Sequence, residues 1–252
     1  MGGARKLAWW ALSPFAYGTA RVALHSRCRV LSGPFAGLRY PPGFVPRLLF
    51  HGPYQVGSFE LELHPAIERI VAEAPETIVN VGAAEGYYAA GLATRLPAAE
   101  VIAFELEPAL RRAAARLAAL NGVAERLELR GLCTAGELAA LGPRLSAGSA
   151  AVRMDCEGAV ATLADPEAVP WLARASLLVE LHPAADAEIR ATLERRLAAT
   201  HELELIASRT RRASEFDPQL QPIRGLRRID RELLVAEFRD GSQDWLFAAP
   251  RS

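Results

Sequence analysis

The sequence predicts an α/β domain: a doubly wound, mostly parallel sheet covered by helices on both faces. Two observations predict it. Short apolar runs alternate with helical stretches from about residue 60 to residue 200, and several of those runs are apolar throughout, as strands buried on both faces are. A third observation, two glycines directly after the first such run, places a ligand turn at the head of the sheet.

Each element follows in order. "ELELHPAIERIVAEAP" reads as a helix ended by Pro75, and "TIVNV" as a buried strand. "EGYYAAGLATRL" is a helix, "EVIAFE" a strand, and "EPALRRAAARLAALNG" a strong helix closed by Asn121-Gly122. "RLELR", "AAVRMD" and "ASLLVELH" read as three further strands, separated by helical stretches around "AGELAALG" and "GAVATLAD". After "AEIRATLERRLAAT" the alternation stops. "ELELIAS" is followed by an arginine-rich stretch, and Asp240-Gly241 between "ELLVAEF" and "DWLFAAP" reads as the turn of an antiparallel β-hairpin.

Bulk properties set limits. A chain of 252 residues, 51% hydrophobic, buries a full core and is long for one domain but short for two. We expect an N-terminal extension over 1–59 that acts as a lid or dimer contact, and a main domain over 60–252. Formal net charge is zero, so nothing global suggests a nucleic-acid binder. Lys6 is the only lysine, which points to coding bias and discounts runs of arginine. Cys28, Cys133 and Cys156 have no metal-ligand spacing and their odd number closes no disulfide framework, so a reducing cytoplasm is expected.

The N-terminal "MGGARKLAWWALSPFAYGTARVALHSR" is interrupted by Pro14, Gly18 and Arg21, so its apolar run falls short of the ~20 residues of a spanning helix. A helix packing Trp9, Trp10, Phe15 and Tyr17 on the domain or a second subunit is favoured over membrane-surface attachment. Residues 28–57 are rich in proline and glycine, which suggests short strands and turns.

The glycine turn carries the chemistry. Gly82 and Gly86 are spaced G-x-x-x-G, unlike the G-x-G-x-x-G of dinucleotide sites. Glu85 lies at the mouth of the following helix, where it would oppose a pyrophosphate. S-adenosylmethionine carries a sulfonium, an ammonium and no phosphate, so it tolerates that carboxylate. Glu105, ending the second strand, is placed to accept ribose hydroxyls, or it is a solvated carboxylate at a helix start. Asp155 with Glu157, and Glu180 with His182, are pairs two residues apart at the ends of two other strands. On a strand, such pairs project to one side. If these strands flank the first, the four groups converge to supply a general base or hold Mg or Mn; alternatively Asp155 and Glu157 simply cap the next helix and His182 is an ordinary strand-end histidine.

On these residues the chain resembles class I S-adenosylmethionine-dependent methyltransferases of the FkbM type. "VNVGAAEGYYAAGLA" is similar to the family's V-D-x-G-A-N-x-G-Y-Y, "AFELEP" to its acidic second-strand motif, "RMDCEGAV" to K-x-D-x-E-G-A-E and "LLVELHP" to its strand ending in E-x-H. Asn80 stands where the family usually has Asp, Glu85 where it often has Asn, and Val160 where a second Glu is common. The resemblance covers about residues 57–182. It implies a seven-stranded Rossmann-like fold and cofactor contacts from Asn80, Gly82, Ala83, Ala84, Glu85, Gly86, Tyr87, Glu105, Leu106, Leu132, Cys133 and Asp155. It further implies catalysis by Asp155, Glu157, Glu180 and His182 and methylation of a small hydroxylated acceptor, such as a sugar or secondary metabolite.

An NAD(P)-dependent oxidoreductase and a non-catalytic S-adenosylmethionine-binding protein are the alternative readings. Seven arginines between Arg209 and Arg231 are either a solvated loop or a reader of an anionic acceptor.

Overall fold

The computed structural model describes residues 14–41, 51–145, 148–181, 188–237 and 243–251. Trp9, Trp10, His182, Asp240 and Gly241 lie outside them, as does the Phe15 side chain. The longer helices are α1 (Pro14–Ser26), α2 (Gly52–Val56), α3 (His64–Glu73), α4 (Tyr87–Arg95), α5 (Pro108–Leu120), α6 (Ile189–Leu197) and α7 (Arg228–Val235). The strands are β1 (Thr77–Val81), β2 (Glu100–Phe104), β3 (Leu127–Arg130), β4 (Ala150–Met154), β5 (Ser176–Leu181), β6 (His201–Ile206) and β7 (Asp244–Pro250).

The chain divides into two compact units. One comprises 1–64 with 209–238, the other 65–208 with 239–252. The first unit therefore takes in a late segment that a boundary at residue 59 leaves with the main domain.

The second unit holds one seven-stranded sheet in the order β3-β2-β1-β4-β5-β7-β6. The ladders joining β1 through β5 are parallel, and β7 runs antiparallel to both β5 and β6. Every residue of β1, β4 and β5 is buried, which is why these runs carry no polar alternation. Val79, Phe104, Met154, Val179 and Leu246 point to one face, where they pack with Leu138, Leu163, Trp171 and Leu193.

The opposite face carries Ile78 and Asn80 of β1, Arg153 of β4, Glu180 of β5 and Trp245 and Phe247 of β7, because residues in register share a face. Here Arg69 of α3 lies 4.2 Å from the centroid of Phe247. Chain order reverses between β1 and β4, and in open α/β sheets ligands bind beyond the carboxyl ends of the strands at such a switch point.

The antiparallel C-terminal pair is present but is built differently from the expected hairpin. "ELLVAEF" is not a strand: Arg228–Val235 is helical, and β7 pairs instead with β6 from far earlier in the chain. The helix start is fixed by Asp230, whose carboxylate accepts from the Arg227 backbone N–H at 2.8 Å and from its guanidinium. That cap turns Leu234 and Val235 into the core of the first unit with Val22, Val56, Phe216 and Leu220.

The arginine-rich stretch also works inside this unit. Arg211 is buried and ion-paired with Glu62 and Glu237, Arg209 pairs with Glu215 and Arg227 with Asp230. Residues 28–41 supply a single isolated bridge, Arg29 to Arg39, and no named strand. Tyr17 is 42% exposed and its hydroxyl donates to the Gly225 carbonyl. Among the described residues no helix is long and apolar enough to cross a membrane.

His201 ties β6 to the sheet layer. Its Nε2 donates to the Ala175 carbonyl at 3.0 Å, and Nδ1 lies 2.8 Å from the Thr200 hydroxyl. Burial holds the ring below the usual histidine pKa, although hydrogen bonds to backbone oppose that. The unfolded chain therefore binds the proton first, so stability falls as pH drops below about 6.5 and levels off below the folded-state value. We expect His201→Gln to flatten that segment of a melting-temperature profile between pH 5 and 7.5. An unchanged slope would free His201 of the effect.

Candidate active site

The turn after β1 is held by backbone. Gly82 and Ala83 both donate to the Phe104 carbonyl at the end of β2, at 3.0 and 2.9 Å, and Gly86 donates to Ala83. Gly82, Ala84 and Gly86 all have positive φ, at 77°, 47° and 94°. The two glycines are required by the protein itself, before any ligand is considered. A Cβ on Gly82 would lie 1.7 Å from the Asp155 carbonyl oxygen, and one on Gly86 would lie 2.9 Å from the Cβ of Ala114 in α5. The first contact locks the tip of β1 to the tip of β4, and the second seats α4 against α5.

Glu105 joins the two loops at this edge. One carboxylate oxygen accepts from the Ala84 N–H and the other from the Glu107 N–H, both at 2.8 Å. Each oxygen has a second acceptor position, so the carboxylate still suits hydroxyl donors. Leu106, just after β2, and Leu132, just after β3, are 68% and 61% exposed. Large apolar side chains left outside at two adjacent strand ends fit a flat apolar ring lying between them. Cys133 is half-buried and packs on the core below. Asn80 is fully buried, and neither atom of its side-chain amide has a hydrogen-bond partner among the described residues. An orphaned amide beneath a ligand turn fits the polar end of a bound molecule.

Other expected positions move. Tyr87 is 5% exposed and stacks edge-on against Tyr88 at 5.3 Å, so it is core. Ala83 is buried, whereas Ala84 and Glu85 are partly exposed in the turn. Asp155 and Glu157 do not share a strand face: β4 ends at Met154, and Glu157 opens a 3-10 turn with φ of 55° and an exposed side chain. Glu180 is 3% exposed and faces the interior opposite Trp245. Asp155, Glu157, Glu180 and Arg153 nonetheless lie close enough to influence one thiol. Cys156 is pushed up to about 12, first by burial and then by Asp155. Cys133 is likewise pushed up to about 12, chiefly by burial. Both remain protonated thiols at neutral pH, which argues against a thiolate nucleophile.

The sequence reading missed the centre of this face. Arg153 is 4% exposed and its guanidinium lies 4.0 Å from the Tyr88 ring centroid and 4.8 Å from that of Trp245. Its Nη2 donates to Asp155 Oδ2 at 3.1 Å. Asp155, with a side chain 32% exposed, thus meets a buried guanidinium on one side and keeps part of its carboxylate accessible. The signal was visible: Arg153 interrupts an otherwise apolar strand, and buried arginine demands partners. Trp245 could not be found that way, since it arrives from the end of the chain. Among the described residues no group of three or more His, Cys, Asp or Glu side chains is arranged for a metal ion.

No protein-family model matches the chain, and no curated protein matches it. Among solved structures, it is similar to precorrin-6y C5,15-methyltransferase from Geobacter metallireducens at 10% identity. That match covers 73% of this chain and 87% of the other, with a TM-score of 0.46. It is also similar to geranyl diphosphate C-methyltransferase from Streptomyces coelicolor, solved with Mg2+, geranyl-S-thiolodiphosphate and S-adenosyl-L-homocysteine. There identity is 14%, coverage is 98% of this chain and 96% of the other, and the TM-score is 0.44. Likeness at this level is too distant to carry a residue or a substrate across.

Proposed function

We propose that the protein is an S-adenosylmethionine-dependent methyltransferase of FkbM type acting on a hydroxyl of a small acceptor. The observation that carries this reading is the edge beyond the ends of β1, β2 and β3: a turn closed by Gly82 and Gly86, an acceptor carboxylate in Glu105 bonded to that turn, and two exposed leucines, Leu106 and Leu132, after the two neighbouring strands. Glu85 in the turn speaks against a pyrophosphate and for a cationic ligand.

S-adenosylmethionine supplies a carbon already activated by its sulfonium, so the protein has to place the acceptor oxygen in line and take its proton. Asp155 is the group placed to take it, being partly exposed at the end of β4. Glu157 is exposed beside it and assists from the rim. Glu180 is buried on the sheet face that carries Arg153, and we assign it a part in setting the charge of this region. His182 is retained as a candidate second base. The arginine pairs within the first unit give the anionic-acceptor reading less support than a neutral hydroxyl. Three free cysteines suit a reducing compartment, so cytoplasm is the location we propose.

Titration calorimetry tests the cofactor directly. S-adenosylmethionine and S-adenosylhomocysteine should bind and NAD should not, and Glu105→Gln should weaken both adenosyl ligands. In that variant the new amide nitrogen faces a backbone N–H, either Ala84 or Glu107, so it loses an acceptor and gains a repulsion. Binding of NAD alone would establish the oxidoreductase. Adenosyl-ligand binding with no methyl transfer across a glycan and metabolite library would leave a binding protein.

A further inference from the structure

Burying a guanidinium inside a sheet is expensive, and three neighbours offset part of that cost even though the buried Nε itself makes no hydrogen bond among the described residues. Two aromatic faces, Tyr88 and Trp245, enclose Arg153, and the Asp155 carboxylate meets its Nη2. Beside Arg153 in register is Asn80, whose amide makes no hydrogen bond among the described residues. The arrangement sets a buried positive charge against the partly exposed carboxylate of Asp155, the first residue beyond β4.

That charge has a consequence for any ligand that changes charge during turnover. A carboxylate alone at the cleft favours a cation, and a guanidinium behind it offsets part of the attraction. We infer that the Arg153–Asp155 pair sets how strongly this pocket prefers a cationic ligand over an uncharged one of the same shape. The inference rests on the proposed cofactor. S-adenosylmethionine carries the sulfonium and S-adenosylhomocysteine is the same molecule with a neutral thioether, so their affinity ratio isolates the charge. The product, lacking the sulfonium charge, loses the attraction to Asp155, and Arg153 limits how large that loss is.

The experiment is calorimetry of both ligands on the full-length protein and three variants. Arg153→Gln removes the offsetting charge and should raise the preference for S-adenosylmethionine over S-adenosylhomocysteine by about three- to tenfold, the range for one charge partly screened by protein and water. Asp155→Asn should lower the preference by a similar factor. Arg153→Lys keeps the charge but not the planar fork between the rings, so its ratio should stay within about twofold of wild type even if its melting temperature falls. A purely structural role for Arg153 would change both affinities together and leave the ratio alone.

If Arg153→Gln does not fold, Asp155→Asn and Arg153→Lys still decide. An unmoved ratio in Asp155→Asn, or a ratio in Arg153→Lys that departs as far as the charge-removing variant predicts, overturns the inference. Wild-type protein that binds neither ligand removes the proposed cofactor and this inference with it. Wild-type protein that binds both, with the ratio indifferent to Asp155→Asn and Arg153→Gln, removes the inference alone.

Discussion

Gly82→Ala should be lost as a folded protein before its ligand affinity can be measured. The added Cβ would sit 1.7 Å from the carbonyl oxygen of Asp155, where no side-chain rotation can help because the Cβ position is fixed by its own backbone and the oxygen it meets is backbone too. The φ of 77° adds strain that an L side chain rarely accepts. Relief requires the tips of β1 and β4 to part, which breaks the hydrogen bond from Asp155 N to the Val81 carbonyl. Together these costs reach about 4 kcal/mol or more, and a chain of this size loses roughly 2–4 °C of melting temperature per kcal/mol. A drop of about 8–16 °C, or insoluble expression, is therefore expected in differential scanning calorimetry. Valine at this position should be worse. If instead glycine were needed only to leave room for a ligand, Gly82→Ala would melt like wild type and fail to bind. A wild-type melting temperature for this variant would return the residue to that simpler role.

Trp245→Ala carries the second large effect. Trp245 is fully buried on β7 opposite Glu180, and truncating a buried Trp typically costs about 3–5 kcal/mol. Here the cavity opens beside Arg153, which loses one of its two aromatic faces, 4.8 Å away. A fall in melting temperature of about 6–20 °C follows. Trp245→Phe, which keeps a ring face, should recover most of it. Equal losses in the two variants would mean that Arg153 gains nothing from the ring. The indole N–H has no partner among the described residues, so phenylalanine gives up no hydrogen bond there.

Local chemistry was legible in the sequence because it is written in neighbours. Continuous apolar runs marked β1, β4 and β5, whose burial on both faces removes any polar alternation. Gly82, Gly86 and Glu105 could be singled out because a strand, a turn and a helix follow one another within a few residues. Two readings failed for the same reason: local period is not tertiary pairing. The "ELLVAEF" run has the apolar content of a strand, yet the Asp230 cap makes it a helix whose Leu234 and Val235 enter the first unit. The two-residue spacing of Asp155 and Glu157 suggested one face, but the strand ends between Met154 and Asp155, and the positive φ at Glu157 turns the chain away.

By itself, then, the sequence determined the doubly wound class, the ligand turn and the acidic strand ends, since each depends on residues close in the chain. Only the tertiary structure decided that β7 enters between β5 and β6 and brings Trp245 over Arg153. It also decided that Gly82 is required by a carbonyl lying more than 70 residues further along the chain. The physical reason is that sheet register and ring-to-guanidinium contact are fixed by packing between distant segments, and no period or motif along the chain records which segment will arrive.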